Sequence, residues 1–471
     1  MADKSRGKYL AKNTLIFALG NFGTKIINFF LVPIYTAILT TSQYGTIDLI
    51  TTIITVVAPA VILNMGEALM RFPLDKDADS SGITSTGLVF LIFGAVTSLL
   101  IIPISGHIPI LSKYSVHLYL YTAAYACSQL FLCSLRGKER LLQYSIGNII
   151  NTFLIAILNI VFLIVLKRGI EGYLTAYIIA NFITAIYAIA VGGIIDDIRH
   201  FHLDSYLTRN MIKYAIVLLP NTFMWWITNS SDRIMVTAMI GAAANGIYAI
   251  SYKIPTLLST VASIFNQAWS YSAIKENQSK DRERFNNQAY YGLLAIIAIA
   301  ALGMMLIMKP FLNIYVSKTY YAAWKYTPYL IVGLFFMALG SFLATPYTVY
   351  KDSKGFLFSA LTGALTNIVL NYFLIPAMGT SGAALATCIS YIIVFFYRVI
   401  DTRKYLTIHV FQPKYIATML LMIAAGFTMY IDGIMGLMLN CCEFIIVIVL
   451  YRDIADRLIK IISMKLHRER K

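Results

Sequence analysis

Residues Gly82–Ser105 read GITSTGLVFLIFGAVTSLLIIPIS and contain no charged side chain. A helix of about 20 apolar residues is long enough to cross the hydrocarbon core of a bilayer. Because backbone polar groups cannot be left unpaired in hydrocarbon, a run of this length and composition predicts a membrane-spanning α-helix. Runs of the same kind recur along the whole chain.

The composition of the chain agrees with this interpretation. Of the 471 residues, 59% are hydrophobic and 13% are charged, and the mean hydropathy is +0.72. Soluble domains carry about 25% charged residues, so an ordinary soluble protein is excluded. Apolar runs predict spans at 13–39, 43–70, 82–105, 113–135, 143–166, 170–195, 212–240, 245–273, 287–308, 326–350, 355–377, 380–397, 412–431 and 433–451. The predicted fold is an all-α integral membrane protein with about 14 transmembrane helices, which leaves no room for a sizeable soluble catalytic domain.

The charges are distributed unequally between the two sides of these spans. The chain has 38 Lys and Arg residues against 22 Asp and Glu, a net charge of +16. With the N-terminus inside, the outer loops hold only Lys113, Lys167, Arg168, Lys309, Lys318 and Lys325. Cytoplasmic loops are enriched in Lys and Arg, so we expect a multi-pass protein of the cell (inner or plasma) membrane with both termini in the cytoplasm. The positive charge then indicates anionic membrane lipids as partners rather than nucleic acid.

The C-terminal tail, residues 452–471, repeats this theme. Apolar residues recur there at roughly helical spacing among basic ones, namely Ile454, Leu458, Ile461, Ile462 and Leu466. This pattern is typical of a basic amphipathic helix on the inner leaflet. A solvated tail is the alternative.

The sequence contains an internal repeat. A shift of 201 residues places Lys12 on Lys213, Asn28 on Asn229, Ala37 on Ala238 and Gly45 on Gly246. A shift of 210 places Gly169 and Gly172 on Gly379 and Gly382, each pair before the sixth span of its half. Six spans per copy is an even number, so the copies run parallel. We expect an N-lobe at 1–200, a C-lobe at 201–405, two more helices at 406–451 and the tail at 452–471, with a cleft between the lobes suited to alternating access.

Several short motifs resemble those of a known family. They are Lys12–Phe17 with Pro33–Tyr35, Gln43–Gly45, Ser231–Met235, Gly246–Tyr248, Lys253–Pro255, Asn367–Pro376 and Gly382–Ala384. In this order they resemble bacterial oligosaccharide and polysaccharide flippases, which are relatives of the lipid II flippases and of multidrug and toxin extrusion carriers. The resemblance covers nearly the whole chain. It implies two six-helix lobes, two extra C-terminal helices, and movement of an undecaprenyl-pyrophosphate-linked oligosaccharide from the inner to the outer leaflet, and we expect a glycan polymerase or glycosyltransferase as partner.

Three spans carry polar side chains at membrane depth, where charges are costly and often functional. They are Asn21, Lys25 and Asn28 in the first span, Trp225, Asn229 and Arg233 in the seventh, and Lys253 and Gln267 in the eighth. A hydrated cavity between the lobes would explain them, with the three cations attracting a pyrophosphate and the other side chains contacting sugar. Contact between helices is the alternative.

Acidic residues in the spans have two interpretations as well. Asp232 and Lys253 are predicted at equal depth and could form a salt bridge between the seventh and eighth spans. Glu67 precedes Arg71 by four residues, the favourable order for an intrahelical pair, or it could act in ion coupling. We interpret Asp48, near the outer end of the second span, as an interfacial charge.

Two other functions compete with a flippase. A cation-coupled drug antiporter of the same superfamily would need a membrane carboxylate as its ion switch, whereas the deep charges here are mainly basic. A membrane enzyme of glycan assembly would need catalytic groups in a large outer loop, and the longest one, at about 309–325, has none. We therefore expect a protein that is not an enzyme, with no cofactor and no metal site.

Overall fold

The computed structural model describes residues 23–75, 77–275, 279 and 281–453. About 88% of the structure is helical, and no strand occurs within the described ranges. The first half of the helices comprises α1 Gly23–Ile38, α2 Thr41–Val61, α3 Met65–Arg71, α4 Ser80–Thr97, α5 Ile101–Gly106, α6 Pro109–Ser112, α7 Ser115–Gly137, α8 Leu141–Asn159, α9 Gly169–Gly192 and α10 Ile194–Arg199. The second half comprises α11 Ser205–Met239, α12 Ala242–Lys253, α13 Thr256–Lys275, α14 Arg282–Tyr315, α15 Thr327–Leu343, α16 Thr345–Val349, α17 Ser353–Met378, α18 Thr380–Asp401, α19 Pro413–Thr428 and α20 Gly433–Leu450.

Many of these helices are suited to a bilayer. Among the described residues, ten helical segments are long and apolar enough to cross a membrane, and three apolar helices are shorter. The chain is therefore an all-α multi-pass membrane protein, as predicted. The count of 14 stays a prediction. The predicted tail helix falls on residues 454–471, outside the described ranges.

The chain forms two compact units. The first comprises the described residues up to Arg233 together with Gly241–Gly246, and the second comprises Ile234–Ile240 and the described residues from Ile247 onward. The lobes predicted at 1–200 and 201–405, and the separate helix pair at 406–451, stay predictions.

The first unit is built around α7, which packs against α2, α3 and α9. Buried polar side chains join these helices. Ser128 Oγ on α7 donates to Asn181 Oδ1 on α9 over 2.8 Å, and Asn151 Nδ2 on α8 donates to Thr184 Oγ1 over 3.0 Å. Such bonds satisfy polar groups that lipid cannot.

In the second unit, α15 packs against α13, α14 and α18, and α17 packs against α18. The helices α19 and α20 pack against each other and against α14. The C-terminal helix pair is therefore held to the rest of this unit mainly through α14.

Proline divides one of the predicted spans. The run 245–273 was predicted as one helix, but α12 ends at Lys253 and α13 begins at Thr256. Pro255 lies in this gap, and proline cannot donate the backbone hydrogen bond that a continuous helix needs. The eighth predicted span is thus two helices.

The internal repeat is visible in the helix boundaries. α2 begins at Thr41 and α12 at Ala242, two positions related by the shift of 201. Gly169 and Gly379 both have positive φ, 54° and 62°, at the start of α9 and just before α18. A positive φ favours glycine, and the two glycines that are equivalent in the repeat share it.

Candidate functional site

The first predicted cation lies on α1. Lys25 and Asn28 are both exposed, and their spacing of three residues places them on one face of this helix. The remainder of α1 is mostly apolar, with Pro33 inside it. Asn21, the third member of the predicted stripe, lies outside the described residues. The described part of α1 thus presents a cation and an amide side by side.

The second predicted cation, Arg233 on α11, is engaged by a carboxylate. One guanidinium nitrogen of Arg233 donates to Asp48 Oδ1 over 2.9 Å. The other carboxylate oxygen of Asp48 accepts from Asn245 Nδ2 over 3.3 Å, and the same amide donates to the Gly45 carbonyl oxygen over 3.0 Å. Arg233 therefore belongs to a polar cluster with Asp48 and Asn245, all within the first unit.

Asp48 is not the interfacial charge that the sequence suggested. Its side chain is only 7% exposed, and its partner Arg233 is 185 positions away along the chain. A buried carboxylate is stable only when it is paired and hydrogen-bonded, and Asp48 has both a guanidinium and an amide partner. Position within the span did not reveal a partner so distant in sequence.

A close backbone contact between α2 and α12 supports this cluster. A Cβ atom added to Gly45 would lie 1.8 Å from the Ala242 carbonyl oxygen, and one added to Gly246 would lie 2.0 Å from the Thr41 carbonyl oxygen. Gly45 and Gly246 are equivalent positions of the repeat, and so are Thr41 and Ala242, so the repeat relates the two contacts to each other. Only glycine permits such a close approach, which brings Asn245 within reach of Asp48.

A second bond from α11 reaches α2. Trp226 Nε1 donates to the Thr52 carbonyl oxygen over 3.0 Å. Its neighbours Trp225 and Asn229, which were predicted to contact sugar, lie in α11, where the structure describes their backbone alone. The polar stripe in the sequence indicated Trp225 but not Trp226, the next residue along the helix.

The remaining members of the predicted site are Lys253, Gln267 and Asp232. Lys253 is exposed at the end of α12 in the second unit, and Gln267 lies in α13, where only its backbone is described. Asp232 is 2% exposed, and its Oδ1 accepts from the backbone N–H of Arg233 over 2.9 Å. The salt bridge proposed between Asp232 and Lys253 stays a prediction.

The predicted pair between Glu67 and Arg71 does not form. Arg71 instead donates to Asp75 Oδ1 over 2.7 Å. α3 ends at Arg71, and a 3₁₀ turn at Phe72–Leu74 follows it. This turn places the Asp75 carboxylate within hydrogen-bond distance of the Arg71 guanidinium. Glu67 lies in the first turn of α3, where a negative charge is favourable. The four-residue spacing between Glu67 and Arg71 permits an ion pair within a helix. Because α3 ends at Arg71, however, the turn that follows supplies Asp75 as the partner instead.

The segment between α10 and α11 is attached to the start of α4. Asp79 caps α4 by accepting from the Gly82 N–H over 2.9 Å, and its second oxygen lies 2.6 Å from His202 Nε2. His202 Nδ1 lies 2.9 Å from the His200 carbonyl oxygen. The His200 carbonyl and the Asp79 carboxylate together raise the pKa of His202, because both favour the protonated ring. The segment is therefore attached to the start of α4 by the His202–Asp79 contact, and the charge of His202 depends on pH.

Another buried pair fixes the same end of the unit. Lys138, after α7, pairs with Asp197 on α10. The same carboxylate accepts from Ser80 Oγ over 3.0 Å and from Thr84 Oγ1 over 2.8 Å. Within the described residues, no three His, Cys, Asp or Glu side chains lie close enough together to hold a metal ion.

Comparison with known proteins identifies similar sequences and folds. A family model for polysaccharide biosynthesis proteins matches residues 10–278. The solved structure of the lipid II flippase MurJ, in an inward closed conformation, is similar with a TM-score of 0.64 and 15% identity, covering 94% of this chain and 100% of that one. An inward-facing multidrug resistance MATE transporter of the MOP superfamily gives a TM-score of 0.61 and 12% identity, covering 82% and 93%. A variant of the Vibrio cholerae MATE transporter VcmN gives 0.56 and 13%, covering 85% and 97%. No curated protein matches the sequence.

At these identities the likeness to solved structures concerns the fold. The predicted all-α transporter architecture is confirmed by it.

Proposed function

We propose, since the chain belongs to the family of polysaccharide biosynthesis proteins, that it is a flippase for an undecaprenyl-pyrophosphate-linked oligosaccharide. It carries this lipid from the inner to the outer leaflet by alternating access, for the synthesis of a cell-surface polysaccharide. The MurJ-like fold supports a flippase, and the motifs noted above support the class of substrate.

The exposed Lys25 of α1 is the observation that carries this proposal. A cation on a spanning helix is costly unless it meets water, a counter-charge or an anionic ligand. A pyrophosphate offers several anionic oxygens, and bonds between ammonium groups and phosphate oxygens are among the stronger hydrogen bonds. Lys25 therefore binds the pyrophosphate, and Asn28 on the same face binds the adjoining sugar.

The other predicted residues take different roles in this proposal. Lys253 is exposed in the second unit and contributes a second cation from there. Arg233 is neutralised by Asp48, so it reaches the substrate only when that pair opens. Asn21, Trp225, Asn229 and Gln267 contribute sugar contacts.

Replacing Lys25 by alanine tests the proposal. We expect Lys25→Ala to reduce glycan export about tenfold or more while the protein remains in the membrane at the normal level, because a charged hydrogen bond is lost but the apolar surface of α1 is kept. Lys318→Ala is the matched control, since Lys318 is exposed at the start of the 3₁₀ helix Lys318–Lys325, outside the predicted spans, and has no role in the proposal. It should export normally.

Arg233→Ala is the second arm of this experiment. Its interpretation requires a stability measurement, because the substitution also breaks the pair with Asp48. Full export by both Lys25→Ala and Arg233→Ala would exclude the cationic mechanism. That result would favour the cation-coupled antiporter, and Glu67→Gln would be the next variant to measure.

The cellular setting is part of the proposal. The protein lies in the inner or plasma membrane with both termini in the cytoplasm, where its basic loops meet anionic lipids. A glycan polymerase or glycosyltransferase of the same pathway is its expected partner, because the lipid-linked sugar must be assembled before it is flipped and used after it.

A further inference from the structure

A carboxylic acid lies within α20, a helix that contributes no residue to the candidate site described above. The buried face of this helix consists of Gly436, Asn440, Glu443 and Val447, at spacings of four, three and four residues. Glu443 is 8% exposed and is the eleventh of the 18 residues of the helix. The opposite face carries exposed apolar residues such as Met438 and Ile445. Glu443 is thus buried against protein at membrane depth.

The partners of Glu443 indicate its protonation state. Thr428 Oγ1, at the end of α19, lies 2.9 Å from Glu443 Oε2 and 3.1 Å from the Ala425 carbonyl oxygen. A threonine hydroxyl has one proton and can donate only once. If Glu443 is neutral, it donates to Thr428 and Thr428 donates to Ala425, so both contacts are satisfied. If Glu443 is ionised, only one of them is.

Among the residues that the structure describes, no cation compensates a charge at this position. α14 and α19 are the helices packed against α20. Gly303 of α14 faces the ring of Phe444, next to Glu443, and α14 has no titratable residue between Tyr291 and Lys309. At the outer end, Lys309 pairs with Asp432 over 2.9 Å.

The inner end offers no partner either. Lys414 and Tyr415 open α19, thirteen or more residues before Thr428, and Lys414 lies against Tyr291 and Asp453. On α20 itself the nearest titratable groups are Cys441 and Cys442, which are outside its buried face. Nearby Asn440 donates to the Gly436 carbonyl oxygen, and its own Oδ1 accepts no hydrogen bond from the described residues. Within the described part of the chain, Glu443 therefore has hydroxyl and amide neighbours but no counter-charge.

We propose that Glu443 is a proton-binding site within the membrane, neutral while α19 and α20 are packed together. An ionised carboxylate without a cation is costly there, whereas the neutral acid satisfies the Thr428 hydroxyl. The ligand of the site is a proton, and neither substrate nor transport is needed for its binding. Proton binding at Glu443 can therefore be tested independently of the proposed flippase function.

A hydrophobic carbodiimide tests this directly in membranes that contain the full chain. The reagent reacts with protonated carboxyl groups: the acid O–H adds across one C=N bond, and rearrangement gives an N-acylurea that retains the whole mass of the reagent. We expect this mass on the peptide containing Glu443 at neutral pH. The exposed Glu283 and the ion-paired Asp352, which lie outside the predicted spans, should remain unmodified and serve as internal controls.

Infrared spectroscopy supplies a second measurement that does not depend on access of the reagent. The carboxylic acid C=O band of the parent protein at neutral pH should lose intensity in Glu443→Gln. Thr428→Val should shift this band, because it removes the acceptor of the acid proton. An acid band unchanged by Glu443→Gln, together with an unmodified Glu443 peptide, would show an ionised carboxylate and overturn the inference.

Discussion

The pairing of Asp48 with Arg233 changes how single-residue variants should be interpreted. Arg233→Ala leaves Asp48 buried beside Asn245 without its guanidinium, and breaking a buried pair in this way costs about 3 kcal/mol or more. We expect a corresponding loss in the free energy of unfolding of the purified protein. Arg71→Ala is the matched control, since Arg71 and Asp75 are both about half exposed and such pairs contribute about 1 kcal/mol or less.

A double variant separates the pair from substrate binding. Asp48→Asn with Arg233→Gln removes both charges together, so it should be more stable than Arg233→Ala alone. If the double variant is stable but does not export glycan, Arg233 also acts on substrate. An Arg233→Ala protein as stable as its parent would contradict the structural role of the pair.

His202 gives a prediction about pH. Its pKa is raised, first by the His200 carbonyl and then by Asp79, so the protonated ring stabilises the folded segment fully below the ordinary pKa of about 6.5. This contribution is lost as the pH rises through the raised pKa. Histidine-selective NMR, with the signal assigned by His202→Gln, should show the raised value and its fall in Asp79→Asn. Because asparagine caps helices as well as aspartate, α4 stays intact, and an unchanged pKa in that variant would contradict the assignment.

At the scale of elements, the glycine contact between α2 and α12 is the most sensitive feature. Gly45→Ala places a Cβ atom 1.8 Å from the Ala242 carbonyl oxygen, which is backbone and cannot move aside. We expect a loss of about 1–3 kcal/mol in stability, as for other overpacked sites. Gly246→Ala should behave alike, and because both act on one contact, the double variant should cost less than the sum.

The control for these variants is Gly292→Ala in α14, where the added Cβ has no atom within 4 Å. It should leave thermal stability unreduced, since alanine is also the better helix former. Equal melting temperatures for Gly45→Ala and Gly292→Ala would show that the α2–α12 contact is not close in solution.

Helices were predictable from sequence because a bilayer demands long apolar runs, and the predicted spans 113–135 and 355–377 begin and end within two residues of α7 and α17. The break at Pro255 was missed because proline is tolerated in many spanning helices. Side-chain partners were harder to predict. Arg71 pairs with Asp75 and not with Glu67 because α3 ends at Arg71. Asp48 pairs with Arg233 on α11, a contact that is determined by the packing of helices distant in sequence. Lys25 was selected because a charge in an apolar run stands out in any sequence, and its role stays a prediction.

The whole molecule is proposed to move a pyrophosphate-linked oligosaccharide across a membrane. The most direct measurement uses purified protein in liposomes that contain this lipid, with a glycosidase outside reporting how much sugar becomes accessible. Vesicles with the parent protein should expose the sugar of the inner leaflet, and Lys25→Ala should slow this about tenfold or more, as expected for loss of a charged hydrogen bond. If the sugar is no more accessible to the glycosidase than in protein-free vesicles, although the parent protein is folded, the proposed flippase function is contradicted.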